Sequence, residues 1–143
     1  MAGQRKDLGV AFSRLTRVML ELELPLLRGR DLEMWDYAVL NQLAEGPAPT
    51  QGDLAAAIGR DPTRLIPILD RLEEKGLLQR VVDPADRRGR TVVLSVTGRE
   101  LLADCKQDIA GVEQSLLAQI EPGRRAVFVE VLDQLASAVD SGR

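Results

Sequence analysis

The sequence predicts a mainly α-helical fold with one small β-hairpin, and three observations carry that expectation. Apolar residues recur at alternating steps of three and four through most of the 143-residue chain, as one stripe of an amphipathic helix does. Past the middle the period changes, giving two short extended segments, Leu77 to Val82 and Arg90 to Ser95, on either side of Asp83-Pro84-Ala85-Asp86-Arg87-Arg88-Gly89. Capping residues, glycines and prolines punctuate the helical stretches at their expected ends.

In chain order, residues 7 to 24 carry Leu8, Ala11, Phe12, Leu15, Val18, Met19 and Leu22 on one side, and Pro25 is expected to end that helix near Leu24. A second helix is expected from Asp31 as N-cap to Ala44, with Leu32, Trp35, Val39, Leu40 and Leu43 inward and Gly46 just past its end. Pro47-Ala48-Pro49 reads as a stiff connector. Thr50-Gln51-Gly52-Asp53 resembles a capping box and opens a short helix that stops at Gly59. Asp61 then caps a helix with Pro62 at its first position, running to Lys75 before Gly76. After the hairpin, Thr97-Gly98-Arg99-Glu100 reads as a capping box for a long helix with Leu101, Leu102, Cys105, Ile109, Val112, Leu116 and Ile120 on one side. A last helix follows Pro122, with Val127, Phe128, Val131, Leu132, Leu135, Ala138 and Val139 apolar.

Composition limits the function. With 45% hydrophobic and 29% charged residues the chain is globular, and its apolar runs are too short to span a bilayer, so a cytoplasmic protein with no membrane partner is expected. One cysteine and no histidine leave no ordinary zinc site and no imidazole base. No nucleophile-base pair, phosphate loop or metal cluster is visible, so neither an enzyme nor a cofactor is expected. The net charge of −3 is unevenly spread: residues 60 to 90 hold eight basic and six acidic side chains, leaving eleven basic and sixteen acidic elsewhere. A local basic surface is what phosphate binding needs.

Helix, tight turn, helix and then a basic hairpin is the order of a winged helix-turn-helix, whose second helix enters the DNA major groove. At about 100° per residue, Leu65, Ile68, Leu69 and Leu72 share one side of the second helix. Arg60, Arg64, Pro67, Arg71 and Lys75 share another. Thr63 and Arg64, with Arg60 just before them, stand where such helices meet base edges; a merely solvated charged face is the alternative. Thr50, Gln51 and Asp61 flank this surface at the starts of the two helices. Arg87, Arg88 and Arg90 crowd the hairpin, where a guanidinium could enter a narrow minor groove. Asp86 is placed to orient Arg88, or else only to stiffen the turn. Pro67 costs a helix hydrogen bond; it is either a tolerated kink or one that curves the helix along the groove.

Three pieces of sequence then stand in register: Leu72-Glu73-Glu74-Lys75-Gly76-Leu77-Leu78-Gln79-Arg80, Asp83-Pro84-Ala85-Asp86-Arg87-Arg88-Gly89-Arg90, and Leu94-Ser95-Val96-Thr97-Gly98. They resemble the MarR family's Leu-Glu-x-x-Gly-Leu-x-x-Arg, Asp-x-Arg and Leu-Thr-x-x-Gly, departing at Ser95, where the family usually has Thr. The resemblance implies a winged helix-turn-helix regulator, mostly a repressor, that binds an inverted-repeat operator in double-stranded DNA as a homodimer. It implies an N-terminal dimerisation helix (residues 1–30), a DNA-binding domain (31–96, with its helix-turn-helix from Thr50 to Lys75 and its wing from Leu77 to Ser95) and C-terminal dimerisation helices (97–143). It also implies a small apolar or phenolic effector. Phe12, Trp35 and Tyr37 are the candidate pocket residues, although a lone Trp on an apolar stripe is more often core. Cys105 lies in an apolar stripe and reads as a buried thiol rather than an oxidant sensor. An effector-independent DNA-binding protein and a protein-interaction module on the same scaffold remain the competing functions.

Overall fold

The structure, a computed structural model, describes residues 7–82, 85 and 89–141. The order is α1 (Leu8–Arg28), α2 (Met34–Ala44), α3 (Gln51–Ile58), α4 (Pro62–Glu74), β1 (Leu78–Val82), β2 (Arg90–Leu94), α5 (Val96–Leu117) and α6 (Pro122–Ser141). The chain divides into two compact units, the first ending at Asp108 and the second beginning at Ile109, inside α5.

The core of the first unit is built by the apolar stripes. Val39, Leu40 and Leu43 of α2, Leu54 and Ala55 of α3, and Leu65, Ile68, Leu69 and Leu72 of α4 are all buried, joined by Leu27, Leu32, Leu77, Leu78 and Val92. Fully burying each such Leu contributes about 1.5–3 kcal/mol, so the helix-turn-helix is held by packing rather than by helix propensity. Local signals set the ends as expected. The Thr50 hydroxyl accepts from the Asp53 N–H at 3.0 Å, and the Asp61 carboxylate accepts from the Thr63 N–H at 2.8 Å. Gly59 closes α3 in the left-handed conformation, with φ of 70°.

Three local expectations are corrected and a fourth is extended. α1 does not stop near Leu24 but runs through Pro25 to Arg28. Proline removes one donor and crowds the preceding turn, yet the extra turn places Leu27 in the core and lets the Leu32 N–H bond the Leu27 carbonyl at 2.9 Å. Asp31 does not cap α2; it occupies the left-handed region (φ 60°), and Glu33 is the N-cap, in a reciprocal capping box with Asp36. The Pro47–Pro49 connector is in addition tied to the hairpin by an isolated bridge, in which Ala48 and Val92 exchange N–H···O bonds of 3.0 and 2.9 Å. Finally, α5 starts at Val96 and its cap is Ser95 rather than Thr97.

β1 and β2 form an antiparallel hairpin with Arg80 opposite Val92 and Val82 opposite Arg90. At its base the Ser95 hydroxyl donates to the Gly76 carbonyl (2.6 Å) and accepts from the Gly98 N–H (2.9 Å). A Cβ on Gly98 would run into the Leu77 carbonyl, so the start of α5 lies directly on the chain leaving α4. Cys105 is buried, and burial pushes its thiol pKa up.

In the second unit, Arg125 closes the end of α5 by donating to the Ile120 carbonyl at 2.8 Å and the Ala118 carbonyl at 3.3 Å. The apolar stripe of α6 is open, with Val127, Phe128, Val131, Leu132, Leu135 and Val139 all exposed. α1 of the first unit likewise exposes Leu8, Phe12, Leu15, Val18 and Leu22. Among the described residues no helix is long and apolar enough to cross a membrane.

Candidate nucleic-acid interface

Asp61 and Pro62 start α4 so that its first turn faces outward. Thr63 and Arg64 are exposed there. The Asp61 carboxyl is held below the ordinary carboxylate range, chiefly by the Thr63 N–H, with Arg64 adding a smaller attraction. It therefore stays ionised at neutral pH and keeps the helix start formed. Among the described residues the Arg64 side chain makes no hydrogen bond or ion pair, while its backbone N–H donates to the Asp61 carbonyl at 3.1 Å, so its guanidinium donors are open to an external acceptor. Pro67 is also exposed and α4 continues through it, so the carbonyl of Thr63 has lost its helix partner on the side facing solvent.

The other cations of the expected stripe are engaged. The Arg60 guanidinium lies over the Trp35 ring, 4.5 Å from its centroid. Arg71 pairs with the Asp36 carboxylate, which is only 1% exposed, and that carboxylate also accepts from the Glu33 N–H at 2.7 Å. Lys75 donates to the Asp31 carbonyl at 2.5 Å and pairs with its carboxylate at 2.9 Å. One stripe on the helical wheel thus splits in space: the Arg64 side chain is exposed with no ion pair among the described residues, whereas Arg71 fastens α4 to the first turn of α2 and Lys75 fastens it to the α1–α2 turn. The same turn reaches α5, since Arg30 donates to Asp108 at 2.7 Å.

Behind the hairpin lies a cluster in which Arg80, whose side chain is 13% exposed, meets Asp70 at 2.6 Å and Glu73 at 2.8 Å. It also donates to the Gln51 side-chain oxygen at 3.3 Å, so Gln51 faces this cluster from the start of α3. The hydrogen bonds from Arg80 hold the Glu73 carboxyl below its usual range. Arg90 is exposed at the start of β2. Asp86, Arg87 and Arg88 lie outside the described residues.

Of the proposed pocket residues, Phe12 is exposed on α1, in a shallow depression lined by α1 alone that includes neither Trp35 nor Tyr37. Tyr37 is half-buried on α2, as is Trp35. Two residues now visible as central were not singled out from sequence. Asp36 carried a signal in its spacing of three from Glu33, the pattern of a capping box. Arg80 carried none beyond its place in the family motif.

A short helix, a tight turn, a capped helix with an open first turn and a hairpin on the far side define a winged helix-turn-helix protein. The sequence profile of the MarR family matches residues 32–89. HosA, a transcriptional regulator of Escherichia coli O111:H-, is 30% identical over 108 residues, covering 76% of this chain and 80% of HosA. A putative transcriptional regulatory protein for the hcr operon of Thauera aromatica is 29% identical over 99 residues, 69% of this chain but 60% of that protein's length. Among solved structures, the transcriptional repressor CouR bound to a 23-mer DNA duplex superposes with a TM-score of 0.77 at 27% identity, covering 94% of this chain and 99% of CouR. CouR of Rhodococcus jostii RHA1 bound to p-coumaroyl-CoA gives 0.76 at 27% identity, covering 99% and 94%. The chain belongs to the MarR family of transcriptional regulators.

Proposed function

We propose that the protein is a sequence-specific repressor that binds an inverted-repeat operator as a homodimer and is released by a small apolar or phenolic ligand. The observation that carries this reading is the exposed Arg64 on the capped first turn of α4, whose side chain has no ion pair among the described residues, together with a hairpin on which Arg90 is exposed. A guanidinium there can make two hydrogen bonds to a guanine edge. Thr63 and Pro67 share that face, while Arg60, Arg71 and Gln51 serve to hold it in place. Arg90, with Arg87, Arg88 and Asp86, supplies the wing contact to phosphate or the minor groove.

Dimerisation is supported by the open apolar stripes of α1 and α6, which have no covering partner among the described residues of their own units. Residues 1–30 and 97–143 are proposed to bury them against a second copy. Release by a ligand is supported by CouR, which has been solved both on DNA and with an acyl-CoA; Phe12, Trp35 and Tyr37 are the proposed contacts.

The test is recovery of bound fragments from a random duplex library by the purified protein, followed by titration of Arg64→Ala. The enriched fragments should be inverted repeats. Arg64→Ala should lose discrimination at particular base positions at a cost of about 1–3 kcal/mol. A library with no enriched sequence would overturn the proposal.

A further inference from the structure

We infer that Arg80 is the positioning residue of the wing: it sets the hairpin against the two helices of the DNA-binding motif without itself contacting DNA. The inference rests on the DNA-binding function proposed above. Its basis is the register of the hairpin. Arg80 and Val92 face each other across the two strands, and at this pair both strands turn backbone groups outward. On the β1 side the Arg80 N–H donates to the Glu73 carboxylate at 2.8 Å; on the β2 side Val92 exchanges its two bonds with Ala48. The ladder is therefore clamped on both edges at one level. Beyond it, among the described residues, the pairs Val81–Thr91 and Val82–Arg90 lead toward the tip.

The Arg80 side chain completes the clamp. Its guanidinium reaches Glu73 and Asp70 on α4 and Gln51 at the start of α3, so one planar group joins both helices to the root of the hairpin. The same geometry makes it a poor DNA ligand. It is mostly covered, and two carboxylates flank it that would repel a phosphate. Arginine suits this task and lysine does not, because three acceptors in different directions need the fixed fork of donors.

The experiment is a double-mutant cycle on duplex fragments enriched by the wild-type protein, read by fluorescence anisotropy well below the melting temperature, with the active fraction fixed by stoichiometric titration. Arg80→Gln should weaken binding about tenfold, and Arg80→Lys should not restore it. Arg90→Ala should weaken the wild type several-fold but the Arg80→Gln protein less than twofold, since a wing out of position has little contact left to lose. Arg64→Ala should cost the same in both backgrounds. Should Arg80→Gln fail to fold, Glu73→Gln, which removes the carboxylate shared by the Arg80 backbone and side chain, should show the same pattern at smaller amplitude. Full affinity in Arg80→Lys, or an Arg90→Ala penalty that adds independently of position 80, would overturn the inference while leaving DNA binding intact. No binding by the wild type would instead remove the function on which it rests.

Discussion

Trp35 and Arg60 form a stack in which the guanidinium carbon sits 4.5 Å from the indole centroid, joining α2 to the turn between α3 and α4. The Arg60 Nε is buried with no hydrogen-bond partner among the described residues, so the face of the ring is what offsets its desolvation. Trp35 is the chain's one tryptophan, and its fluorescence therefore reports this contact directly. Arg60→Ala should move the emission to longer wavelength and lower stability by about 1 kcal/mol. An unchanged spectrum would show that the stack does not persist in solution.

The Asp36–Arg71 pair should be among the costliest polar contacts to break. Removing Arg71 strands a carboxylate that is 1% exposed with the Glu33 N–H as its remaining donor. Because Arg71 itself is 44% exposed, the loss in Arg71→Ala should sit at the low end for a broken buried pair, about 3 kcal/mol in denaturant unfolding. A change under about 0.5 kcal/mol, the range of ordinary surface substitutions, would mean water can replace the arginine.

Acid should loosen the molecule from its ion pairs inward. The carboxyls of Glu73, Asp108 and Asp31 are each held below their ordinary values, chiefly by side-chain hydrogen bonds from Arg80, Arg30 and Lys75. A carboxyl depressed in the folded state contributes stability that is present above its unfolded pKa and lost as pH falls through the folded one. The melting temperature should stay level from neutral pH down to about 5 and then fall. Glu73→Gln and Asp108→Asn should each start lower and fall less steeply. Equal slopes for wild type and variants would show that other groups govern acid unfolding.

Ser95 and Gly98 should respond in opposite ways to the smallest changes. Ser95→Ala removes both the cap of α5 and the bond to the Gly76 carbonyl, a loss of about 1–2 kcal/mol, whereas Ser95→Thr keeps the hydroxyl and should stay near wild type. Gly98→Ala forces a methyl into the Leu77 backbone, which cannot swing aside as a side chain would, and should cost about 3 kcal/mol. Calorimetry on the three variants gives the order. Gly98→Ala melting with the wild type would contradict the close approach of α5 to Leu77.

The sequence made the helices, the hairpin and the inward face of α4 legible because each rests on a local period or a nearby cap. The inward set Leu65, Ile68, Leu69 and Leu72 is buried as the wheel predicts. Where reading failed, two local rules competed or a distant partner decided. Asp31 and Glu33 are both plausible caps, and the reciprocal bond with Asp36 settled which one serves. Thr97 had the better motif, yet Ser95 caps because its hydroxyl also reaches Gly76 across the hairpin. Pro25 obeys its own rule only until Leu27 finds the core. The engagement of Arg60, Arg71 and Lys75 depends on acids and a ring 25 to 44 positions away, which no wheel drawn on α4 alone contains.

The turn between α1 and α2 carries one more implication. Arg30 fastens it to Asp108 on α5 and Asp31, the next residue, fastens it to Lys75 on α4, while Asp36, in the first turn of α2, holds Arg71 of α4. The two helices are thus harnessed to the same short yoke of backbone. A shift of α5 beyond the reach of the Arg30 side chain must either break this tether or draw the yoke with it, and the yoke also holds Lys75 at the end of α4. The position of α5 is therefore coupled through Arg30 to the turn that Lys75 of α4 also holds.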